Sequence, residues 1–192
     1  MSSIRRRLMK LKVNIPYGYE LLSYIENVSK VYIDTGYVPT NNIKIKAKFR
    51  LAYKNGDNLL FYGGNRIALN MYSGVVWYAY GTNVSSSAYN RGKPIQWDKD
   101  YEISVDKGIL TLDGQEFLPN NTIKESKENL FLYDKGLYQA KAKYYYFKIW
   151  DNDILIRDFI PVRRVSDLEI GLFDRVENKF YTSPNGNKFI GG

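Results

Sequence analysis

The chain contains neither cysteine nor histidine in its 192 residues. Without cysteine there is no disulfide, no thiolate nucleophile and no Cys-based zinc site. Without histidine, imidazole ligands and imidazole general bases are gone as well. These two absences exclude most familiar hydrolase and redox chemistry. Proline is sparse at 6 and glycine numbers 15, while 44% of residues are apolar and 25% charged, the composition of one ordinary globular domain rather than a disordered chain. No run approaches the roughly 18 apolar residues that a membrane-spanning helix needs. A chain of this size buries roughly 70% of the surface it exposes when unfolded, enough for a sizeable core. What is abundant is aromatic: 16% of residues, with Tyr 18 against Trp 3 and Phe 9. That bias favours strands, contact surfaces and sugar- or base-stacking platforms over helical bundles.

Positive charge is concentrated at one end. Lys+Arg 28 against Asp+Glu 20 gives +8, but residues 1–12 carry Arg5, Arg6, Arg7, Lys10 and Lys12 with no acid, so the other 180 residues hold 23 basic and 20 acidic groups, a net of +3. A globally basic nucleic-acid binder spreads its positive field over the folded body; here a nearly neutral domain, residues 16–192, wears a basic arm, residues 1–15. The arm begins like a secretory leader and faintly like a twin-arginine signal. Lys10 and Lys12 interrupt Leu8, Met9, Leu11 and Val13, however, so no apolar stretch follows. Synthesis in the cytoplasm without a signal peptide is the expectation. Three roles compete for the arm: a solvated tail, a segment ordering on an acidic protein surface, or nucleic-acid or membrane contact. The reading carried forward is a partner-binding arm, with neither nucleic acid nor membrane as partner.

Past Pro16 no segment keeps a 3.6-residue apolar period, while short alternating runs recur with turn residues between them. Strands are expected at Ile43 to Leu51, Leu59 to Tyr62, Ile67 to Tyr72 and Val75 to Tyr80. Further strands are expected at Tyr101 to Val105, Ile109 to Leu112 and Gln115 to Phe117, with turns at Ser73-Gly74, Lys107-Gly108 and Asp113-Gly114. Asp-Gly suits a type I′ turn, whose two central positions need positive φ. Two long strands follow, Lys143 to Trp150 and Ile154 to Ile160. Strict alternation puts Tyr145, Phe147 and Ile149 on a core face, and Tyr144, Tyr146, Lys148 and Trp150 on a half-exposed face suited to binding or to contact with another subunit. The economical architecture is all-β, a two-layer antiparallel β-sandwich or jelly roll.

Two segments carry a likeness. Residues 24–40, YIENVSKVYIDTGYVPT, and residues 143–192, from KYYYFKIWDNDILIRDFIPVRR to EIGLFDRVENKFYTSPNGNKFIGG, resemble the opening and closing parts of a group of concanavalin A-like (laminin-G-like) lectin and glucanase domains. The resemblance implies a concanavalin A-like sandwich in which the two ends of the chain lie side by side. It also implies the settings in which the group occurs, proteins of gut bacteria and virion proteins of tailed phages. The residues have a reading of their own. Asp34 in Ile33-Asp34-Thr35-Gly36 can cap its own turn. Arg157 and Asp158 sit mid-strand and project to opposite faces, and an arginine in such apolar company needs a partner. Gly171-Leu172-Phe173-Asp174 and Asn178-Lys179-Phe180-Tyr181 read as a hairpin.

Glucanases of this fold class carry carboxylates at alternate strand positions. The nearest approaches here, Glu102 with Asp106 and Asp151 with Asp153, lack that spacing and read as solvated acids. Asp151, Asn152 and Asp153 offer oxygens of the kind calcium takes, but an Asx turn accounts for them. Gly63-Gly64-Asn65 lacks the Lys-Ser/Thr of a phosphate loop. No cofactor and no metal is assigned, and no enzymatic activity is expected. For a glycan, the richest stretch is 72–97: Tyr72, Trp77, Tyr80, Asn83, Arg91 and Trp97, interleaved with Tyr78 and Tyr89, supply stacking faces and orienting polar tips. Alternation puts Trp77 on the face opposite Val76 and Tyr80, so only one set can line a groove. Three functions follow as expectations. The first is a phage virion component, such as a capsid decoration, head-fibre or tail-associated protein, attached to virion proteins by its arm and presenting the sandwich outside. The second is a stand-alone glycan-binding lectin, and the third a glycoside hydrolase.

Overall fold

The computed structural model describes residues 15–28, 30–51, 57–64, 67–72, 74–81, 90–118, 122–123, 126–133 and 141–192, with the backbone alone for 57, 58 and 90–93. Residues 1–14 of the basic arm, with Arg5, Arg6, Arg7, Lys10 and Lys12, lie outside the described residues, as do Asn83 and Tyr89. Every regular element among the described residues is a strand.

The strands, numbered in chain order, form two antiparallel sheets. The larger runs β11 (Gln115–Phe117), β10 (Ile109–Leu112), β9 (Asp100–Asp106), β4 (Ile43–Leu51), β13 (Ala142–Asp151), β14 (Ile154–Arg164), β15 (Ile170–Asp174) and β16 (Lys179–Tyr181). Beside this path, β1 (Tyr19–Leu21) pairs with β14, and β2 (Ile25–Glu26) pairs with both β13 and β17 (Ile190–Gly191). The smaller sheet runs β3 (Ile33–Asp34), β12 (Leu130–Leu132), β5 (Asp57–Gly63), β6 (Ile67–Tyr72), β7 (Val75–Tyr80) and β8 (Asn90–Pro94). This is the two-layer sandwich that the alternation predicts. In β4, Ile43, Ile45, Ala47, Phe49 and Leu51 are buried while Lys44, Lys46, Lys48 and Arg50 point outward, the period of two that one buried face requires.

The sheets meet through aromatic side chains. Phe61 of the smaller sheet packs edge-on to Phe147 of the larger, ring centroids 6.1 Å apart. Tyrosine serves here as a core residue: Tyr78, Tyr133 and Tyr144 are among the largest fully buried side chains, and each hydroxyl finds a main-chain acceptor. Tyr144 donates to the Leu60 carbonyl at 2.8 Å, crossing between the sheets, Tyr78 to Gly108 at 2.7 Å and Tyr133 to Ala142 at 3.0 Å. Burial pushes all three phenols well above their ordinary pKa, so they stay neutral donors.

Both predicted turns of the meander form with positive φ at their central positions, as a type I′ turn at Asp113-Gly114 requires: Asp113 and Gly114 have φ of 49° and 76°, Lys107 and Gly108 of 50° and 79°. The predicted faces of β13 need one correction. A bulge between Tyr144 and Tyr146 shifts the register, so Tyr144 turns into the core and Tyr145 outward, opposite to strict alternation. From Tyr146 to Trp150 the predicted parity holds, with Phe147 and Ile149 inside and Tyr146, Lys148 and Trp150 outside.

The two segments of family likeness lie together. β2 pairs with β13 and β17. Arg157 reaches the Asp34–Gly36 turn, its Nε donating to the Thr35 carbonyl at 2.9 Å, and pairs with Glu177 at 2.7 Å and Asp174 at 3.7 Å. Asp34 caps its own turn, its carboxylate accepting the Gly36 N–H at 2.9 Å.

Candidate functional site

The β6–β7 hairpin decides which aromatic residues of the 72–97 stretch are available. Ile67, Leu69 and Met71 of β6 and Val76, Tyr78 and Tyr80 of β7 belong to the core. The opposite parity, Asn70 and Tyr72 on β6 and Val75 and Trp77 on β7, lies on the outer face of the smaller sheet. Register sets Asn70 directly across from Trp77 and Tyr72 across from Val75. The Tyr72 and Trp77 rings meet edge to face, centroids 5.5 Å apart at 72°, and Tyr72 is 44% exposed. Such a pair braces one ring against the other and leaves the Tyr72 ring open, while the amide oxygen of Asn70 is enclosed. β8 runs alongside, and register places Arg91 opposite Trp77.

Two other predicted residues do not join this pair. Tyr80 is 2% exposed; its hydroxyl donates to the Asn41 and Thr40 carbonyls at 3.3 and 3.4 Å, and burial pushes its pKa up to about 12. A ring enclosed in the core has no face to offer a sugar, so Tyr80 is removed from the candidate set. Trp97 packs against the main core and lies over the Gly74 turn, where an added Cβ would come within 3.6 Å of the indole. It braces the hairpin from the core side.

The carboxylates have other work. Glu102 and Asp106 lie on the outer face of β9, four residues apart, which by the rise of a strand separates them by about 13 Å. Retaining glycosidases hold their two carboxyls about 5 to 5.5 Å apart and inverting ones about 6.5 to 9.5 Å, so this pair cannot flank one glycosidic bond. Asp106 pairs with Lys44 at 3.2 Å, and Asp153 pairs with the same lysine at 2.7 Å. Asp151 accepts the Thr40 hydroxyl at 2.8 Å. Among the described residues, no three acids gather to hold a metal ion.

The outer face of the larger sheet carries an open groove of about 530 Å³, with Tyr146, Lys148 and Trp150 of β13 in its lining. Alternation identifies these three as a half-exposed set. Their neighbours Lys46, Asp158 and Arg175 come from distant parts of the chain, and only the sheet register brings them together.

No protein-family profile matches this sequence, and no curated protein matches it. Several solved structures are similar in fold, among them the following two. A candidate carbohydrate-binding protein from Bacteroides ovatus ATCC 8483 superposes with a TM-score of 0.61 at 12% identity, over 90% of this chain and 60% of that one. A native heptameric SAP-like pentraxin from Limulus polyphemus gives a TM-score of 0.52 at 10% identity, over 91% of this chain and 94% of that one. The chain thus spans about three fifths of the Bacteroides protein's length. Identities this low speak for fold alone, and the fold is a jelly-roll β-sandwich.

Proposed function

We propose that this chain is a non-enzymatic glycan-binding module that takes a saccharide on the outer face of its smaller sheet. The observation that carries the reading is the Tyr72–Trp77 edge-to-face pair on this face, with the Tyr72 ring 44% exposed. Sugar C–H faces stack on exposed aromatic rings of this kind. The likeness to a candidate carbohydrate-binding protein supports the same reading. Calorimetric titration with oligosaccharides of laminarin, xylan and agarose tests it. At least one should bind, and Trp77→Ala should weaken that binding about tenfold or more with the thermal midpoint unchanged. Wild-type binding by the variant, or no binding by the parent, overturns the reading. Release of reducing ends that Glu102→Gln abolishes would overturn its non-enzymatic part.

Five cations in residues 1–12 ahead of a body of net +3 support a second element of the reading. The arm attaches the module to an acidic protein surface, which for the family that the sequence resembles would be a phage particle. Exposed pairs contribute only about 0 to 1 kcal/mol each, so several must act together. Mass spectrometry of purified particles should find the full chain and lose it when residues 1–13 are deleted; full occupancy by the deleted form would refute attachment through the arm.

A further inference from the structure

The outward cations of β4 form a ladder with the acids of β9, and the ladder has one gap. Lys44 faces Asp106, Lys48 faces Glu102 and Arg50 faces Asp100. Lys46 faces Ser104, and its ion pair, with the diagonal Glu102, is the longest of the ladder at 3.9 Å. On its other side Lys46 stands directly opposite a second cation, Lys148 of β13. Lys148 faces Asp158 at 3.5 Å, but Arg175 holds the same carboxylate at 2.6 Å. Three cations, Lys46, Lys148 and Arg175, therefore share two carboxylates, Asp158 and Glu102. Like charges directly opposite across strands destabilise a sheet, and here they stand where the ladder leaves out an acid.

This gap lies in the groove of about 530 Å³, within the usual size range of small-molecule sites. Tyr146 and Trp150 flank Lys148 on the same face of β13, on either side of the cation row. An anionic group between the two ammoniums would gain charge-assisted hydrogen bonds and relieve their repulsion, with an aromatic ring to each side. Asp158 and Glu102 bound the row and repel a continuous polyanion, which favours a ligand bearing one acidic group per ring over a nucleic-acid backbone.

We propose that this groove binds an acidic saccharide, its carboxylate or sulfate held between Lys46 and Lys148 and a sugar ring resting on Trp150 or Tyr146. The site is separate from the Tyr72–Trp77 face and does not depend on the reading given to that face. The test is calorimetric titration of the full chain with oligogalacturonate, alginate oligomers and chondroitin sulfate oligosaccharides. Methyl-esterified oligogalacturonate, polyglutamate and a single-stranded oligonucleotide serve as comparisons. At least one acidic oligosaccharide should bind, less tightly as salt rises, and the comparisons should not. Lys46→Gln combined with Lys148→Gln should weaken binding about tenfold or more. Ser104→Asp removes no groove residue and completes the ladder; it should weaken binding to a similar degree while the thermal midpoint stays level or rises. Trp77→Ala should leave this binding unchanged, which separates it from the smaller-sheet site. Failure of every acidic oligosaccharide to bind overturns the proposal. So does equal binding of the methyl ester, of polyglutamate or of the oligonucleotide, or full binding by a folded Ser104→Asp protein.

Discussion

Arg157 is 12% exposed in its side chain and holds a carboxylate, Asp174, that is entirely buried. The two oxygens of Asp174 are served differently. Oδ1 accepts the N–H groups of Asp158 at 2.8 Å and Val176 at 3.0 Å, whereas Oδ2 faces Arg157 at 3.7 Å. Arg157 also ties the Thr35 carbonyl to Glu177, so one guanidinium joins the two stretches that carry the family likeness. Removing one partner of a buried pair typically costs about 3 to 5 kcal/mol because the other charge is left uncompensated. Here the two backbone donors remain on Oδ1, which places Arg157→Ala near the lower end. We expect a loss of about 3 kcal/mol in urea denaturation, and a smaller loss than the sum of single effects when Asp174→Asn is combined with it. A loss below about 1 kcal/mol would mean that the pair contributes no more than an exposed one.

At the scale of elements, the β4–β9 ladder is one acid-sensitive feature of the larger sheet. Burial alone would raise the Asp100 pKa, but hydrogen bonds from Lys48, Arg50 and Tyr145 outweigh it and hold the carboxyl at about 2. A carboxyl whose folded pKa is depressed stabilises the fold above its unfolded pKa, and that contribution is lost as pH falls through the folded value. The stabilisation from Asp100 should therefore be complete above about pH 5 and be progressively lost towards pH 2. Asp100→Asn should flatten the stability profile in that window and nowhere above it, as thermal melts across pH would show; an unchanged slope below about pH 5 would assign the acid sensitivity to other groups. β4, β9 and β10 were legible in the sequence because each buries one face and so alternates cleanly, and the three residues of β11 were legible from the Asp113-Gly114 turn that precedes them. β1, β2, β3, β12 and β17 are two or three residues long, too short to show a period. β8, Asn-Arg-Gly-Lys-Pro, has no apolar alternation and is a strand only because β7 pairs with it. In the candidate sites, alternation separated Trp77 from Val76 and Tyr80 without saying which set faces outward, and the bulge that turns Tyr144 inward has no local signal. Nor does the meeting of Lys46 with Ser104 and Lys148, which depends on pairings far apart in sequence.

For the whole molecule, closure depends on residues far apart in the chain. β2 lies between β13 and β17, with Glu26 opposite Ile190, and the Gly192 carbonyl accepts the N–H groups of Ser23 and Tyr24 at 2.6 and 3.1 Å. Phe189 seals the core at this seam: it is 3% exposed, and its ring centroid lies 5.8 Å from that of Tyr133, whose hydroxyl donates to Ala142. Because the entropy of closing such long loops precedes the contacts that reward it, folding should fall in the slow range of β-rich domains, about milliseconds to seconds. Truncating a buried phenylalanine costs about 3 to 5 kcal/mol, a large share of a domain stability of about 5 to 15 kcal/mol, so Phe189→Ala should lower the thermal midpoint steeply. Ile190→Ala, one residue on and 45% exposed, should shift it little. Deleting residues 183–192 removes the ring, the β17 pairing and the Ser183 hydroxyl that accepts the Tyr32 N–H at 3.2 Å. The shortened chain should therefore lose its cooperative unfolding transition altogether. If it kept a single transition within about 5 °C of the parent, residues 183–192 would be an appendage to the sandwich, and the pairing of its two ends would contribute little to its stability.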